Sequence, residues 1–181
     1  MSEASRAFGF WRLFLEAFER RCEANTAAMI PPWKSKTAWT DFMLKPNEGF
    51  LGRVASEWGA RSLNEPCVER NEWHKFDLML LTAPPGKEWW RCVPVVTIEH
   101  ENDDAIHDEV WKLACWRSRL KVLVTYHNTD ISATEKRAHA REIITNIQGA
   151  CDDGDEWLML SAPRKWGDRL AWTGHEWTGE D

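Results

Sequence analysis

The chain has 181 residues, a length that suits one domain with a substantial core and is short for two independent cores. Hydrophobic residues at 43% and charged residues at 29% fit an ordinary globular domain and argue against bulk disorder. The formal net charge of −6 repels polyphosphate and disfavours binding of nucleic acid through a broadly basic surface. A nucleic-acid role would therefore need a local site or a cation.

The apolar start of the chain is interrupted by Arg12 and Glu16, which argues against a signal peptide and against a membrane span. We therefore expect a cytoplasmic protein with no membrane partner. The cysteines are odd in number and form no CxxC, so we expect reduced and mostly buried thiols rather than a disulfide scaffold or a zinc knuckle. They are Cys22, Cys67, Cys92, Cys115 and Cys151.

Tryptophan is unusually frequent, with 13 residues against a single tyrosine. Such usage supplies large core side chains or stacking platforms for bases, and composition alone does not choose between them. Most of the tryptophans fall at apolar or strand-end positions, which favours the core.

The first predicted element is a helix over residues 6–24, where apolar residues recur at helical spacing on two adjacent stripes. Such a helix needs cover on two sides, so it is a core helix or the seam of a homodimer. Residues 25–46 contain prolines and no sustained period, which predicts a long loop. Within this loop Trp33, Lys34, Lys36 and Trp39 are candidates to contact a nucleic-acid backbone, with a docked tryptophan as the alternative.

The middle of the chain predicts a helix and then three strands. Asn47 is expected to cap a short amphipathic helix that Gly59 ends. Strands are expected over residues 66–72, 73–82 and 90–101, the last with a β-branched run typical of a central strand.

The remaining elements alternate before the chain closes with two strands. A helix over 104–117 and a strand over 121–126 suggest a crossover onto the sheet. Ser132 and Glu135 predict a capping box for a helix that runs to Gly149. Strands over 157–160 and 170–173 are expected to close the sheet. The fold class is α/β, in a single domain over residues 1–181, with an N-terminal helix and loop (1–46), a core (47–127) and a C-terminal helix and strands (128–181).

The segment 99–109 is unusual because six of its eleven residues are acidic and none is basic. Side chains alternate along a strand, so Glu99 and Glu101 project from one face near its carboxyl end. Two carboxylates about 7 Å apart along a strand can bind a hard divalent cation. Asp77 begins an apolar strand that we expect alongside, where a buried acid is costly unless it is neutralised. These three acids predict a metal site.

The three acids, in this order of elements, resemble the motif of the PD-(D/E)XK nuclease superfamily, also called restriction-endonuclease-like. Asp77 is similar to the acid that begins the family's second core strand, and Glu99 to the acid near the end of the third. Glu101 stands where the family has lysine, and Glu48 is most similar to the glutamate of its first helix. The resemblance spans residues 47–127 and implies an αβββαβ core with an extra N-terminal helix and a C-terminal helix plus β-hairpin.

The resemblance also implies an activity, the metal-dependent hydrolysis of phosphodiester bonds in DNA. Asp77, Glu99 and the backbone carbonyl of His100 would hold Mg²⁺ or Mn²⁺. Glu101 would orient the attacking water or join a second metal site, and Glu48 would hold an outer-shell water.

The glutamate in the lysine's place leaves the source of positive charge open. Some family members take this lysine from the following helix, and Lys112 is the candidate here, where it would stabilise developing charge. The alternative is a surface lysine that pairs with Asp108 or Glu109 at helical spacing.

Other interpretations of the acidic segment also stay open. Asp103, Asp104 and Asp108 fit a solvated helix start, where the helix dipole favours acids. His100 and His107 suggest zinc but lack a third well-spaced ligand. The whole chain could also be a catalytically inactive member of the family, a protein-binding or regulatory module, which the net charge, the missing lysine and the aromatic first helix favour.

Overall fold

The computed structural model of the protein describes residues 5–25, 34–63, 67–73, 75–82, 92–102, 105–147, 154–164 and 171–178. These residues form five helices and one six-stranded mixed sheet, which confirms the α/β fold class. The helices are α1 (Arg6–Asn25), α2 (Lys36–Leu44), α3 (Phe50–Ser62), α4 (His107–Ala114) and α5 (Asp130–Asn146). The strands are β1 (Cys67–Trp73), β2 (Phe76–Thr82), β3 (Pro94–Glu101), β4 (Leu120–His127), β5 (Glu156–Pro163) and β6 (Thr173–Thr178).

The strands lie side by side in chain order from β1 to β6. Strands β1, β2 and β3 form an antiparallel meander, β3, β4 and β5 are parallel, and β6 pairs antiparallel with β5. Helix α4 connects β3 to β4 and α5 connects β4 to β5, as parallel neighbours require. The carboxyl ends of the three parallel strands therefore share one edge of the sheet, and β2 begins at that edge because it runs antiparallel to β3.

Alternate residues of the strands belong to two separate cores, one on each side of the sheet. On one side of the sheet, helices α1, α2 and α3 pack against strand residues that include Leu78, Ile98 and Tyr126. On the other side, helices α4 and α5 pack against strand residues that include Met79 and Leu123. The central strand β4 is buried along its whole length, as expected of a parallel strand covered on both faces.

Helix α1 confirms the helix predicted over residues 6–24 and lies in the core. Phe10, Phe14 and Phe18 are buried, and Phe14 packs edge-on against Phe50 and Trp172. The apolar stripe of α1 is therefore covered from within the chain.

The prediction of a loop over residues 25–46 is wrong, because α2 lies within this segment. Ser35 caps α2 by accepting a hydrogen bond from the backbone N–H of Ala38 at 3.2 Å. Trp39 and Met43, one helical turn apart, are both fully buried. Burial of these two residues stabilises a short helix whose sequence shows little periodicity. Trp39 is thus a core residue rather than a nucleic-acid contact, and Trp33 lies outside the described residues.

Helix α3 differs from its prediction at both ends. Gly49, rather than Asn47, is the N-cap residue, and Gly59 lies inside the helix, which continues to Ser62. A Cβ on Gly59 would come within 2.8 Å of a methyl group of Leu80, so this glycine permits the close approach of α3 to β2.

The C-terminal elements also shift. Thr129 is the N-cap of α5 and forms a capping box with Ser132, so the predicted pairing of Ser132 with Glu135 is wrong. Strand β6 begins at Thr173, where the predicted strand ends. It still pairs antiparallel with β5, so the expected closing pair of strands is present.

The thiols are less buried than expected. Cys22, Cys67 and Cys92 are half-buried and Cys115 is exposed. Cys151 lies outside the described residues. No helix that the structure describes is long and apolar enough to span a bilayer.

Candidate functional site

Two acids predicted as metal ligands lie on neighbouring strands of the sheet. Leu78 of β2 pairs with Ile98 of β3, and the same antiparallel register carried on by one residue places Asp77 opposite Glu99. Because Leu78 and Ile98 face α1–α3, the two acids face α4 and α5. Like charges directly opposite each other destabilise an antiparallel pair, so this position needs a compensating group.

The compensating group is Lys112 of α4. Its Nζ lies 2.8 Å from Oε1 of Glu99 and 3.6 Å from Oε1 of Glu109. It also donates a hydrogen bond of 3.3 Å to the backbone carbonyl of Lys75, in the turn before β2. The side chain of Glu99 is only 1% exposed, so this ion pair is closed to solvent on the Glu99 side. We call Asp77, Glu99, Glu109 and Lys112 the carboxylate site.

Asp77 is held by the backbone of the neighbouring strand. The N–H of His100 donates a hydrogen bond of 2.8 Å to Oδ2 of Asp77. This bond fixes the orientation of the Asp77 carboxylate beside Glu99.

Burial controls the protonation of both acids. It raises the pKa of Glu99 to about 8, with a further rise from the charge of Asp77 and an opposing effect from Lys112. Burial also raises the pKa of Asp77, against the hydrogen bond from His100 and the charge of Lys112. For Lys112, burial lowers the pKa, but the contact with Glu99 and the charges of Glu109 and Asp77 outweigh it, so the pKa is raised. The lysine is therefore the charged partner of a carboxyl pair that resists full ionisation.

Lys112 contacts two glutamates. It pairs with Glu109 three residues earlier, as the surface interpretation expected, and it also reaches Glu99. Glu109 joins the carboxylate site although its sequence position suggested only a helix start. The helical spacing between Glu109 and Lys112 was the one signal in the sequence for this contact.

The other predicted site residues lie further out. Glu101 ends β3 half-buried, two residues beyond Glu99 and thus on the same face. Glu48 lies in the turn before α3, pairs with Lys45 at 2.6 Å and lines a groove of about 550 Å³ between α1, α2 and α3. The structure therefore brings Asp77, Glu99 and Lys112 together and leaves Glu48 on the opposite side of the sheet.

The two histidines considered for zinc are not brought together. The ring of His100 faces α1–α3, where its Nε2 shares a hydrogen bond of 2.9 Å with the hydroxyl of Tyr126. His107 instead stacks on His139 of α5, with ring centroids 5.8 Å apart. The placement gives no support to a zinc site built from His100 and His107.

The carboxylate oxygens of the site suit a hard divalent cation such as Mg²⁺ better than a metal that prefers nitrogen or sulfur ligands. Asp77 and Glu99 offer two carboxylates on adjacent strands, and Mg²⁺ is commonly held by one or two carboxylates with water and substrate oxygens completing its shell. Among the described residues, no three His, Cys, Asp or Glu side chains form a group that could hold a metal ion by themselves. Asp77 and Glu99 therefore supply only part of a coordination shell.

Comparisons with known proteins do not place the chain in a family. No protein-family model, no curated protein and no solved structure matches it.

Proposed function

We propose that the protein is a divalent-metal-dependent nuclease of the PD-(D/E)XK type that hydrolyses phosphodiester bonds in DNA. The observation that carries the proposal is that Asp77 of β2 lies beside Glu99 of β3, with Lys112 in direct contact with Glu99. The order of α3, β1, β2, β3, α4 and β4 supports it, since it repeats the helix, three strands, helix and strand of that family's core.

Each residue of the carboxylate site has a distinct role in this proposal. Asp77, Glu99 and the backbone carbonyl of His100 would hold Mg²⁺ or Mn²⁺, which would supply polarisation of a phosphoryl oxygen and activation of water. Lys112 provides a positive charge for the phosphate and takes the place of the motif lysine. Glu101, one step further along the same face of β3, orients the attacking water.

A local cation also answers the difficulty posed by net charge. The six acids of segment 99–109 equal the formal charge of −6, so the rest of the chain is formally neutral. A divalent ion on the carboxylate site reverses the sign of the local field that a phosphate meets.

The proposal is tested by incubating plasmid and single-stranded DNA with the protein in Mg²⁺ or Mn²⁺. We expect cleavage in the wild type and its loss in Asp77→Asn and Glu99→Gln. Burial favours the protonated form of Glu99, whose size and shape glutamine keeps, so the variant should fold. Asp108→Asn, which removes an exposed acid of α4 outside the site, is the matched control and should cleave normally. Absence of cleavage together with absence of an Mn²⁺-dependent rise in melting temperature would refute the proposal.

The second candidate is a catalytically inactive module of the same fold that binds a protein partner. The specific observation in its favour is that Lys112 already neutralises Glu99 without a metal, while Glu101 occupies the lysine's place. This candidate predicts a stable partner in a pull-down that Glu99→Gln leaves unchanged, and no DNA cleavage under any metal condition.

A further inference from the structure

We infer that Lys112 is an exchangeable internal cation of the carboxylate site, which leaves Glu99 when a divalent metal binds and stays held by Glu109 and the carbonyl of Lys75. The inference rests on the proposed metal site and adds a regulation of its occupancy. It assigns Glu109 as a positioning residue, a role that the nuclease motif does not contain.

The first support is the set of partners around the ammonium group. Nζ of Lys112 has three oxygen neighbours, at 2.8 Å on Glu99, 3.3 Å on Lys75 and 3.6 Å on Glu109. An ammonium has three N–H donors, so these oxygens can satisfy the group completely. In the metal-free protein Lys112 thus holds the position of a bound cation.

The second support is the difference between its two carboxylate partners. Glu99 lies on β3 with a side chain 1% exposed, whereas Glu109 lies on the same helix as Lys112 and is 19% exposed. The contacts with Glu109 and Lys75 do not depend on Glu99. The flexible stem of Lys112 can therefore withdraw its ammonium from Glu99 while it keeps both outer oxygens.

The third support is charge. The oxygen of Glu99 that Lys112 contacts is deeply buried, and the ammonium lies 2.8 Å from it. A divalent ion on the same carboxylate would face the ammonium across a few ångströms in a region of low effective dielectric, where like charges repel strongly. Metal and ammonium therefore exclude each other from Glu99.

Two consequences follow from this exclusion. Lys112 competes with the metal, so it weakens metal affinity while it neutralises the site in the metal-free protein. After exchange, Glu109 keeps the displaced ammonium at the outer side of the site, where a phosphate would approach.

The first test measures Mn²⁺ affinity by calorimetry in the full-length protein. Lys112→Met should bind Mn²⁺ about tenfold or more tightly than the wild type, because the competing cation is gone. Lys75→Met removes a neighbouring exposed positive charge without removing a side-chain contact to Glu99, and should change the affinity by less than about threefold. Equal effects of the two variants would show a general charge effect and overturn the inference.

The second test follows the ammonium itself. Acetylation of Lys112, read by mass spectrometry, should become several-fold faster when Mn²⁺ is added, because its contact with Glu99 is released. Lys121 is 1% exposed and paired with Asp155 at 3.1 Å, so its reactivity should not change. An unchanged or slower reaction at Lys112 in saturating Mn²⁺ would overturn the inference.

The role of Glu109 is tested by Glu109→Gln against Asp108→Asn, which makes the same change of charge one residue away. Only Glu109→Gln should increase the rate of acetylation of Lys112 in the Mn²⁺-bound protein. Equal rates in the two variants would show that Glu109 does not hold the displaced ammonium.

The outcomes also separate this inference from the proposed function. Absence of Mn²⁺ binding in both the wild type and Lys112→Met would overturn the metal site and the exchange together. Binding that Asp77→Asn abolishes, with Lys112→Met no tighter than Lys75→Met, would overturn the exchange alone.

Discussion

The two sides of the sheet handle buried polar groups in opposite ways. On the side covered by α1–α3, the Nε1–H of Trp39 donates a hydrogen bond of 2.6 Å to the hydroxyl of Tyr126, which in turn contacts His100. All three are uncharged and enclosed by aromatic rings. On the α4–α5 side, two carboxyl groups face each other and depend on a lysine. The first group is neutral, whereas the second depends on a proton or a cation.

Neighbouring residues of β3 show that burial acts in the same sense on both sides. Burial lowers the pKa of His100 to about 3 and raises the pKa of Glu99 to about 8, so it opposes charge on each. His100 resolves this with a neutral hydrogen bond to Tyr126. Glu99 has Lys112 beside it, and the proposed metal would bind at the same carboxylate.

The largest expected effect comes from a large-to-small substitution in the aromatic core on the α1–α3 side. Phe14 is fully buried and packs against Trp172 and Phe50, with ring centroids 4.9 and 5.3 Å apart. Phe14→Ala should lower the free energy of unfolding by about 3–5 kcal/mol in urea titrations. Phe8→Ala on the same helix, where the side chain is 43% exposed, should change it by less than about 0.5 kcal/mol. Equal losses in the two variants would contradict the burial of Phe14 in the core on this side of the sheet.

The next effect is a pH dependence of stability that comes from the acids on the α4–α5 side. The pKa of Glu99 is about 8 in the folded protein against 4.5 as the ordinary value, so between these values the folded state holds a proton that the unfolded state has lost. This stabilisation is complete below pH 4.5 and is lost as the pH rises through about 8, with a slope of at most about 1.4 kcal/mol per pH unit.

Glu99→Gln isolates this pH dependence because glutamine does not titrate. Melting temperatures across this pH range should fall less in the variant than in the wild type, with a smaller slope left by the raised pKa of Asp77. Saturating Mn²⁺ should weaken or reverse the decline in the wild type, since the metal binds the ionised carboxylate. If the melting temperatures of variant and wild type fall in parallel with rising pH, Glu99 does not control the pH dependence of stability.

The smallest expected effect tests the neutral network. Tyr126→Phe removes the hydroxyl that contacts Trp39 and His100, at a cost of about 1–3 kcal/mol in the free energy of unfolding. Burial raises the pKa of Tyr126, so the absorbance of the single tyrosinate should appear in alkali only when the protein unfolds. Mn²⁺ affinity should not change, and a loss of affinity would mean that the two sides are coupled through His100.

Local sequence signals were reliable where one pattern dominated. The helical period of α1 and the β-branched run of β3 predicted those elements, since burial on a continuous face decides both. Helix α2 was missed because two buried residues and one cap stabilise it, and neither creates a long period. The cap of α5 was misplaced because Thr129 and Ser132 satisfy the same pattern as Ser132 and Glu135.

The sequence by itself determined the α/β order of elements apart from α2, the position of the acids at strand ends and the local origin of the excess negative charge. These follow from periodicities and charges that neighbouring residues carry. Only the tertiary structure decided that Asp77 lies opposite Glu99, that Lys112 reaches Glu99 and that Glu48 does not join them. These relations depend on strand register and on which side of the sheet each helix covers, and long-range packing sets both.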